Sequence, residues 1–153
     1  MKMIKKDVEV EAPVNTVYNQ WTQFEDFPLY MEDVEEVRQV DNKHLHWRAN
    51  IAGQHKEWDA EITEQIPDEK ISWRSTGGTF NAGTLRFFPL DENHTKVVLE
   101  LEYDPTNFKE SVGDLVGVVS ARVSGDLKRF KEFIEARGME TGAWRGQIDR
   151  GEK

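Results

Sequence analysis

The longest helical pattern in the chain, residues 111–137, constrains the possible folds more than any other segment. Its apolar residues are Val112, Leu115, Val116, Val119, Val123, Leu127, Phe130 and Ile134. Because most of their intervals are three or four residues, they lie on one side of an α-helix. Ser111 followed by Asp114 is typical of a helix start, and Gly138 is typical of a helix end. A helix of this length spans about 40 Å, and its apolar side needs a partner surface.

The predicted partner surface is a β-sheet, because most of the chain before this helix alternates apolar and charged residues. The seven predicted strands cover residues 4–12, 34–40, 44–51, 57–62, 71–73, 85–87 and 97–103. Helical spacing predicts two short helices, residues 14–21 and 24–31, between the first two strands. The short turns between strands predict an antiparallel order. We therefore predict an α+β fold in which a highly curved seven-stranded antiparallel sheet wraps around the long C-terminal helix.

Composition and charge limit the function classes. The chain has 153 residues, of which 37% are hydrophobic and 32% charged, and a net charge of −9. The acidic balance argues against binding to nucleic acid, and no apolar run is long enough for stable membrane insertion. The absence of cysteine excludes disulfides and thiolate sites. We predict a cytoplasmic protein, monomeric or homodimeric, with a single domain over residues 1–138 and a tail over residues 139–153.

A strongly curved sheet cannot follow a straight helix along its whole length, so we expect a mostly apolar cavity between them. Five aromatic residues occupy predicted inward strand positions: Trp47, Trp58, Trp73, Phe87 and Tyr103. The other predicted ligand-binding residues are Tyr30, Met31, Val116, Val119 and Ser120. The first two follow the short second helix and would cover the cavity mouth, whereas the other three lie on the long helix. Plain core packing is the alternative for each residue, but together they suit a buried hydrophobic ligand.

Several short motifs carry a family resemblance. They are Val10-Glu11-Ala12-Pro13, Trp21-Thr22-Gln23-Phe24, Trp58-Asp59-Ala60-Glu61-Ile62, Ile71-Ser72-Trp73-Arg74-Ser75, Leu85-Arg86-Phe87, Asp126-Leu127 and Thr141-Gly142-Ala143-Trp144-Arg145-Gly146. Their order over nearly the whole chain resembles the START/Bet v1-like helix-grip superfamily, and more narrowly the bacterial polyketide cyclase/dehydrase and lipid-transport family. The resemblance implies a helix-grip fold that binds a hydrophobic small molecule between sheet and helix. Members of this superfamily include lipid and quinone binders and aromatic polyketide cyclases.

The remaining polar and small residues carry weaker signals. His44 and His46 share a strand face that would suit a metal pair, but that face also carries Arg48 and is interpreted as solvent-facing. We therefore predict no metal and no cofactor. Charged residues predicted to pair across the outer face are Arg48, Glu57, Asp59, Glu61, Arg74, Arg86, Glu100 and Glu102. A row of small residues on the long helix, Gly113, Gly117, Ala121 and Gly125, indicates either a pliable gate or groove, or tolerated looseness.

Catalysis has little support in the sequence, because no nucleophile is paired with an evident base. Ser75 and Tyr103 are the inward hydroxyls that we consider as proton-handling candidates. Our first hypothesis is a non-catalytic binder or carrier of a lipid-like or aromatic small molecule. The second is a polyketide cyclase or dehydratase that uses the same cavity. The third is a protein-interaction module that docks a partner through the glycine row or the tail.

Overall fold

The chain forms one antiparallel sheet and a long helix in the computed structural model, which describes residues 2–51, 53–108 and 115–148. The strands are β1 (Lys2–Val10), β2 (Val34–Gln39), β3 (His44–Ile51), β4 (Gln54–Ile66), β5 (Lys70–Gly78), β6 (Asn81–Asp91) and β7 (His94–Tyr103). The helices are α1 (Val14–Trp21), a 3₁₀ helix at Phe24–Leu29, a second 3₁₀ helix at Pro105–Asn107, and α2 (Leu115–Arg137). The strand order β1-β7-β6-β5-β4-β3-β2 confirms the predicted seven-stranded α+β helix-grip fold.

Register shifts between neighbouring strands contribute to the curvature of the sheet. The pairing of β4 with β5 shifts register between Asp59 and Ala60 and again between Ile62 and Glu64. Each bulge bends its strand and increases the local twist. Strand β6 continues through Pro89 to Asp91, beyond the predicted end at residue 87. Proline is tolerated there because the pairing of β6 with β7 shifts register just beyond it.

Helix α2 buries a row of its residues against the sheet and ends as predicted. The buried side chains are Val119, Val123, Leu127, Phe130 and Ile134. Gly138 has a positive φ of 76°, and its N–H donates to the carbonyl of Ile134 over 2.9 Å, which is a typical helix end. The predicted start at Ser111 and Asp114, together with Val112 and Gly113, lies outside the described residues.

Aromatic packing fills the end of the fold nearest to α1. Trp21 of α1 lies 4.5 Å from Phe130 of α2, measured between ring centroids. Phe27 and Tyr30, in and just after the first 3₁₀ helix, contact the same indole edge to face at 5.4 and 5.9 Å. Edge-to-face rings of this kind add to the stability that burial alone provides. These rings therefore pack closely together at this end of the space between sheet and helix.

The tail beyond Gly138 packs along α1. The backbone N–H of Thr141 donates to the side-chain carbonyl of Gln20 over 2.9 Å, and that of Trp144 donates to the Thr22 hydroxyl over 3.0 Å. Further along, Ile148 pairs with Gln65 of β4 through two backbone hydrogen bonds. Ile148 is only 6% exposed and belongs to the main core cluster. The buried polar side chains of α1 thus find their partners in the tail.

Among the described helices, none is both long enough and apolar enough to cross a membrane.

Candidate functional site

A cavity of about 180 Å³ lies between the inner face of the sheet and α2. The long helix contributes Val119, Val123, Asp126 and Leu127 to its wall. Aliphatic side chains from the sheet that line it are Val34, Leu45, Ile51, Ile62, Ile71, Leu85, Leu99 and Leu101. A wall of this composition, with a few polar groups, is typical of a small-molecule site.

Four of the five predicted inward aromatic residues line this cavity: Trp47, Trp58, Trp73 and Tyr103. Trp47 and Trp58 are register partners on β3 and β4, and their rings stack with centroids 5.5 Å apart and planes 15° apart. Met31 and Val119 also line the cavity, as the sequence predicts.

Trp73 takes its orientation from two neighbours on β6. Its indole N–H donates to the Asn81 side-chain oxygen over 2.9 Å. Gly83 is its register partner, and a β-carbon on Gly83 would overlap the Trp73 ring. The indole therefore lies directly over the bare backbone of the neighbouring strand.

Val116 and Ser120 do not face the cavity, which corrects two sequence predictions. Val116 is 44% exposed, Ser120 is half-buried, and neither is among the described lining residues. The inward row of α2 begins at Leu115 and continues through Val119 at intervals of four residues. Val116 follows Leu115 and Ser120 follows Val119, so each is rotated by about 100° around the helix axis, toward solvent.

Phe87, Tyr30 and Ser75 also lie away from the described cavity wall. Phe87 contacts the ring of Tyr18 edge to face at 5.3 Å, because α1 covers that end of β6. Tyr30 is 1% exposed and lies inside the aromatic core rather than over a cavity mouth, and burial raises the pKa of its hydroxyl. The Ser75 hydroxyl accepts a hydrogen bond from the backbone N–H of Asn81 over 3.1 Å. This bond links β5 to the first residue of β6.

The structure adds two carboxyl groups to the cavity wall that the sequence reasoning did not select, Asp33 and Asp126. Asp126 lies on the apolar side of α2, one residue before buried Leu127. A charged residue on that side was the available signal, and Asp126 also falls within a family motif quoted above. Asp33 lies in the loop before β2, where no periodicity could have selected it.

Both carboxyl groups belong to a cluster that joins this loop to α2, here called the loop–helix ion-pair cluster: Glu32, Asp33, Arg122, Asp126 and Arg129. Arg122 lies 2.9 Å from Asp33, and Arg129 lies 2.6 Å from Asp126. Arg129 also donates to the backbone carbonyl of Tyr30 over 3.0 Å. Gly125 leaves room for this guanidinium, because a β-carbon there would lie 3.0 Å from it. The rest of the glycine row has no assigned role.

Burial changes the acidity of both cavity carboxyl groups. Desolvation raises the pKa of Asp126 to about 6, although its hydrogen bond to Arg129 acts in the opposite direction. Desolvation likewise raises the pKa of Asp33 against the attraction of Arg122. A carboxyl group with a pKa close to neutrality can donate or accept a proton at physiological pH.

On the opposite face of the sheet, three of the residues predicted to pair across strands do so: Arg48, Glu57 and Asp59. Arg48 lies 3.2 Å from Glu36. The two ring nitrogens of His46 lie 2.8 Å from Asp59 and 3.0 Å from Glu57, and these hydrogen bonds raise the pKa of the imidazole. No group of three or more His, Cys, Asp or Glu side chains in the described part of the chain could hold a metal ion. The absence of a metal in the functional protein stays a prediction.

Comparison with known proteins places this fold in a family. The model of the polyketide cyclase/dehydrase and lipid transport family matches residues 10–132. The chain belongs to this family. As a member of the polyketide cyclase/dehydrase and lipid transport family, it is 50% identical over 149 residues to an uncharacterised 17.2 kDa protein of Streptomyces lincolnensis, covering 97% of this chain and 99% of that relative.

Several solved structures have the same fold. A protein of Thermus thermophilus has a TM-score of 0.74 at 25% identity, covering 89% of this chain and 99% of that one. The Zhui aromatase/cyclase of a Streptomyces species has a TM-score of 0.74 at 18% identity, with 94% and 99% covered. A START superfamily protein of Mycobacterium smegmatis has a TM-score of 0.69 at 20% identity, with 86% and 98% covered. The last two likenesses, below 25% identity, concern the fold alone.

Proposed function

We propose that this protein binds a hydrophobic small molecule, lipid-like or aromatic, in the cavity between the sheet and α2, and thereby carries or sequesters it. The single observation that supports this most is the wall itself. Apolar side chains from the sheet and from α2 enclose about 180 Å³, although protein interiors are normally close-packed. An apolar cavity of about 150 Å³ can hold a molecule of the size of benzene.

The first experiment is native mass spectrometry of the purified protein, before and after incubation with an apolar extract of its host cells. We expect an additional non-covalent mass on the native protein that is absent from the denatured chain. The mass and the isotope pattern of the released molecule would then identify its chemical class. A bare chain under both conditions would count against a binder.

A pair of variants on α2 locates the binding site. Val119 lines the cavity, whereas Val116, one turn earlier, is 44% exposed. Val119→Phe fills part of the cavity and should remove the additional mass, and Val116→Phe is the matched control that should retain it. Equal retention of the ligand by both folded variants would place the site elsewhere.

Acid–base catalysis in the same cavity is a second candidate function, which one observation favours. Asp126 places in the wall a carboxyl group whose pKa is raised to about 6. General acid–base catalysis needs such a group within reach of the substrate. A panel of cyclisable polyketide-like compounds would test this role. Turnover that is lost in Asp126→Asn and kept in Ser75→Ala would support it, whereas wild-type inertness toward the panel would count against it.

The protein-interaction hypothesis has less support than either of these. A cavity too small for any ligand would favour it, whereas the cavity observed here measures about 180 Å³. Whether the protein is a monomer or a homodimer stays a prediction.

A further inference from the structure

The charge of the cavity wall limits which hydrophobic ligands it can accept. No Lys, Arg or His is among the described residues that line it, whereas Asp33 and Asp126 are. Both carboxyl groups already lie beside an arginine. A ligand carboxylate would lose its hydration without gaining a cation and would meet two acidic groups, both of which oppose binding.

Two indole N–H groups of the wall are hydrogen-bond donors that the described part of the protein leaves unused. The Nε1 atoms of Trp47 and Trp58 are shielded from bulk water, and neither has a hydrogen-bond partner among the described residues. Trp58 is 7% exposed. Buried indole N–H groups normally have partners, and an unsatisfied buried donor destabilises the folded protein.

Two comparisons within the wall single out this pair. The N–H of Trp73 already donates a hydrogen bond to Asn81 over 2.9 Å, so this donor is not available to a ligand. Trp21 also lines the wall and has an unpartnered Nε1, but it is only 2% exposed and its ring is held between Phe27 and Phe130. The rings of Trp47 and Trp58 stack with centroids 5.5 Å apart, so one small ligand can contact both side chains.

From these observations we infer that the ligand is a small, neutral, largely aromatic molecule whose carbonyl-type oxygen accepts a hydrogen bond from the Trp47–Trp58 pair. This inference rests on the proposed binding function and names the ligand class of the same cavity. The volume of about 180 Å³ suits a molecule with one ring, since an apolar cavity of about 150 Å³ holds benzene. Binding turns at least one shielded N–H onto the ligand oxygen. Fatty acids and other carboxylates are excluded from the cavity.

Four compounds of similar size test the inference: acetophenone, ethylbenzene, benzoate and 1-phenylethylammonium. Their affinities are measured by NMR titration of the ¹⁵N-labelled full chain, which also reports each indole N–H separately. Acetophenone should shift the Nε1–H signals of Trp47 or Trp58 downfield, as expected for a new hydrogen bond, and ethylbenzene should not. Benzoate should bind at least about tenfold more weakly than acetophenone.

Variants separate the hydrogen bond from general packing. Trp47→Phe and Trp58→Phe keep an aromatic ring and remove the donor, and each should weaken acetophenone binding about 3- to 10-fold while leaving ethylbenzene within about twofold. Trp73→Phe is the matched control, because its N–H is already committed to Asn81, and it should show no loss specific to the ketone.

Three outcomes would overturn the inference while leaving the proposed function intact. They are equal losses for acetophenone and ethylbenzene in the two variants, tightest binding by benzoate, and tightest binding by the ammonium compound, which would assign recognition to the carboxyl groups. Failure of all four compounds to bind at millimolar concentration would also overturn the inference, whereas the proposed function fails only if native mass spectrometry finds a bare chain under both conditions.

Discussion

Asp126 couples the stability of the protein to pH through its burial. Its pKa in the folded chain is raised from 3.8 to about 6, so the folded state holds this proton more tightly than the unfolded state does. Folding is therefore favoured while the group is protonated, and stability falls as the pH rises from about 4 to about 6. The loss should be of the order of 2–3 kcal/mol. It is measured as the unfolding free energy of the wild type minus that of Asp126→Asn, from urea titrations between pH 4 and pH 8.

Taking the difference between the two proteins cancels the titration of their other groups. We expect that difference to decrease between pH 4 and pH 6 and to level off above. A difference that instead grew with pH would mean that the ionised Asp126–Arg129 pair, 2.6 Å apart, outweighs the desolvation of the carboxylate.

Gly83 holds Trp73 in position by having no side chain. A β-carbon there would overlap the Trp73 ring and lie 2.9 Å from the backbone oxygen of Glu100. Gly83→Ala should therefore destabilise the fold by about 1–3 kcal/mol, as other overpacked sites do, and change the indole signal of Trp73 in an NMR spectrum. Gly77→Ala is the matched control, because its β-carbon would have no neighbour nearer than 3.8 Å, and it should change stability by less than about 0.5 kcal/mol.

The tail acts as a structural element although it has no periodic pattern. Ile148, the last described residue of the tail, is 6% exposed, whereas Met139 at its beginning is 61% exposed. Ile148→Ala should cost about 2–4 kcal/mol, the usual loss for a buried Ile, and Met139→Ala should cost less than about 0.5 kcal/mol. Thermal and urea unfolding of both variants measure this difference. Similar stability of the two would mean that the tail adds little to the core.

At the level of elements, local pattern was sufficient wherever one face of an element is buried along its whole length. The helix at Val14–Trp21 and the strand His44–Ile51 have the predicted bounds for this reason. On α2, pattern alone was not sufficient at the N-terminal end, where Val116 was assigned to the wrong face. Helical spacing predicts which residues form the apolar side of the helix. Which of them face the sheet depends on how the sheet packs against the helix, and local spacing does not determine this.

For the whole molecule, the sequence predicted a cavity and four of the aromatic residues that line it, but not its chemistry. Trp47, Trp58 and Trp73 follow from strand alternation. The pairing of Asp33 with Arg122 joins a loop to a helix far along the chain, and no local rule predicts such a contact. The unused N–H groups of Trp47 and Trp58 are equally invisible in sequence, because they depend on which neighbours the fold supplies.

An unfilled cavity in the core lowers the stability of the fold. Filling it from Val119 measures how much stability is lost. Val119→Phe places additional apolar volume in the cavity, and cavity filling commonly adds about 0.5–2 kcal/mol. We therefore expect it to unfold at a higher temperature than the wild type, whereas Val116→Phe, at a position that is 44% exposed, should change little.

Ligand should reverse this order of stability. At a ligand concentration of 100 times the Kd, the wild type gains about 2.7 kcal/mol, and Val119→Phe, which cannot accept the ligand, gains nothing. The check is a pair of thermal unfolding curves for each variant, with and without acetophenone. A Val119→Phe protein that is less stable than the wild type, while Val116→Phe is unaffected, would show that the wall cannot accommodate a larger side chain. The space would then be a rigid packing feature of the core rather than room kept for a ligand.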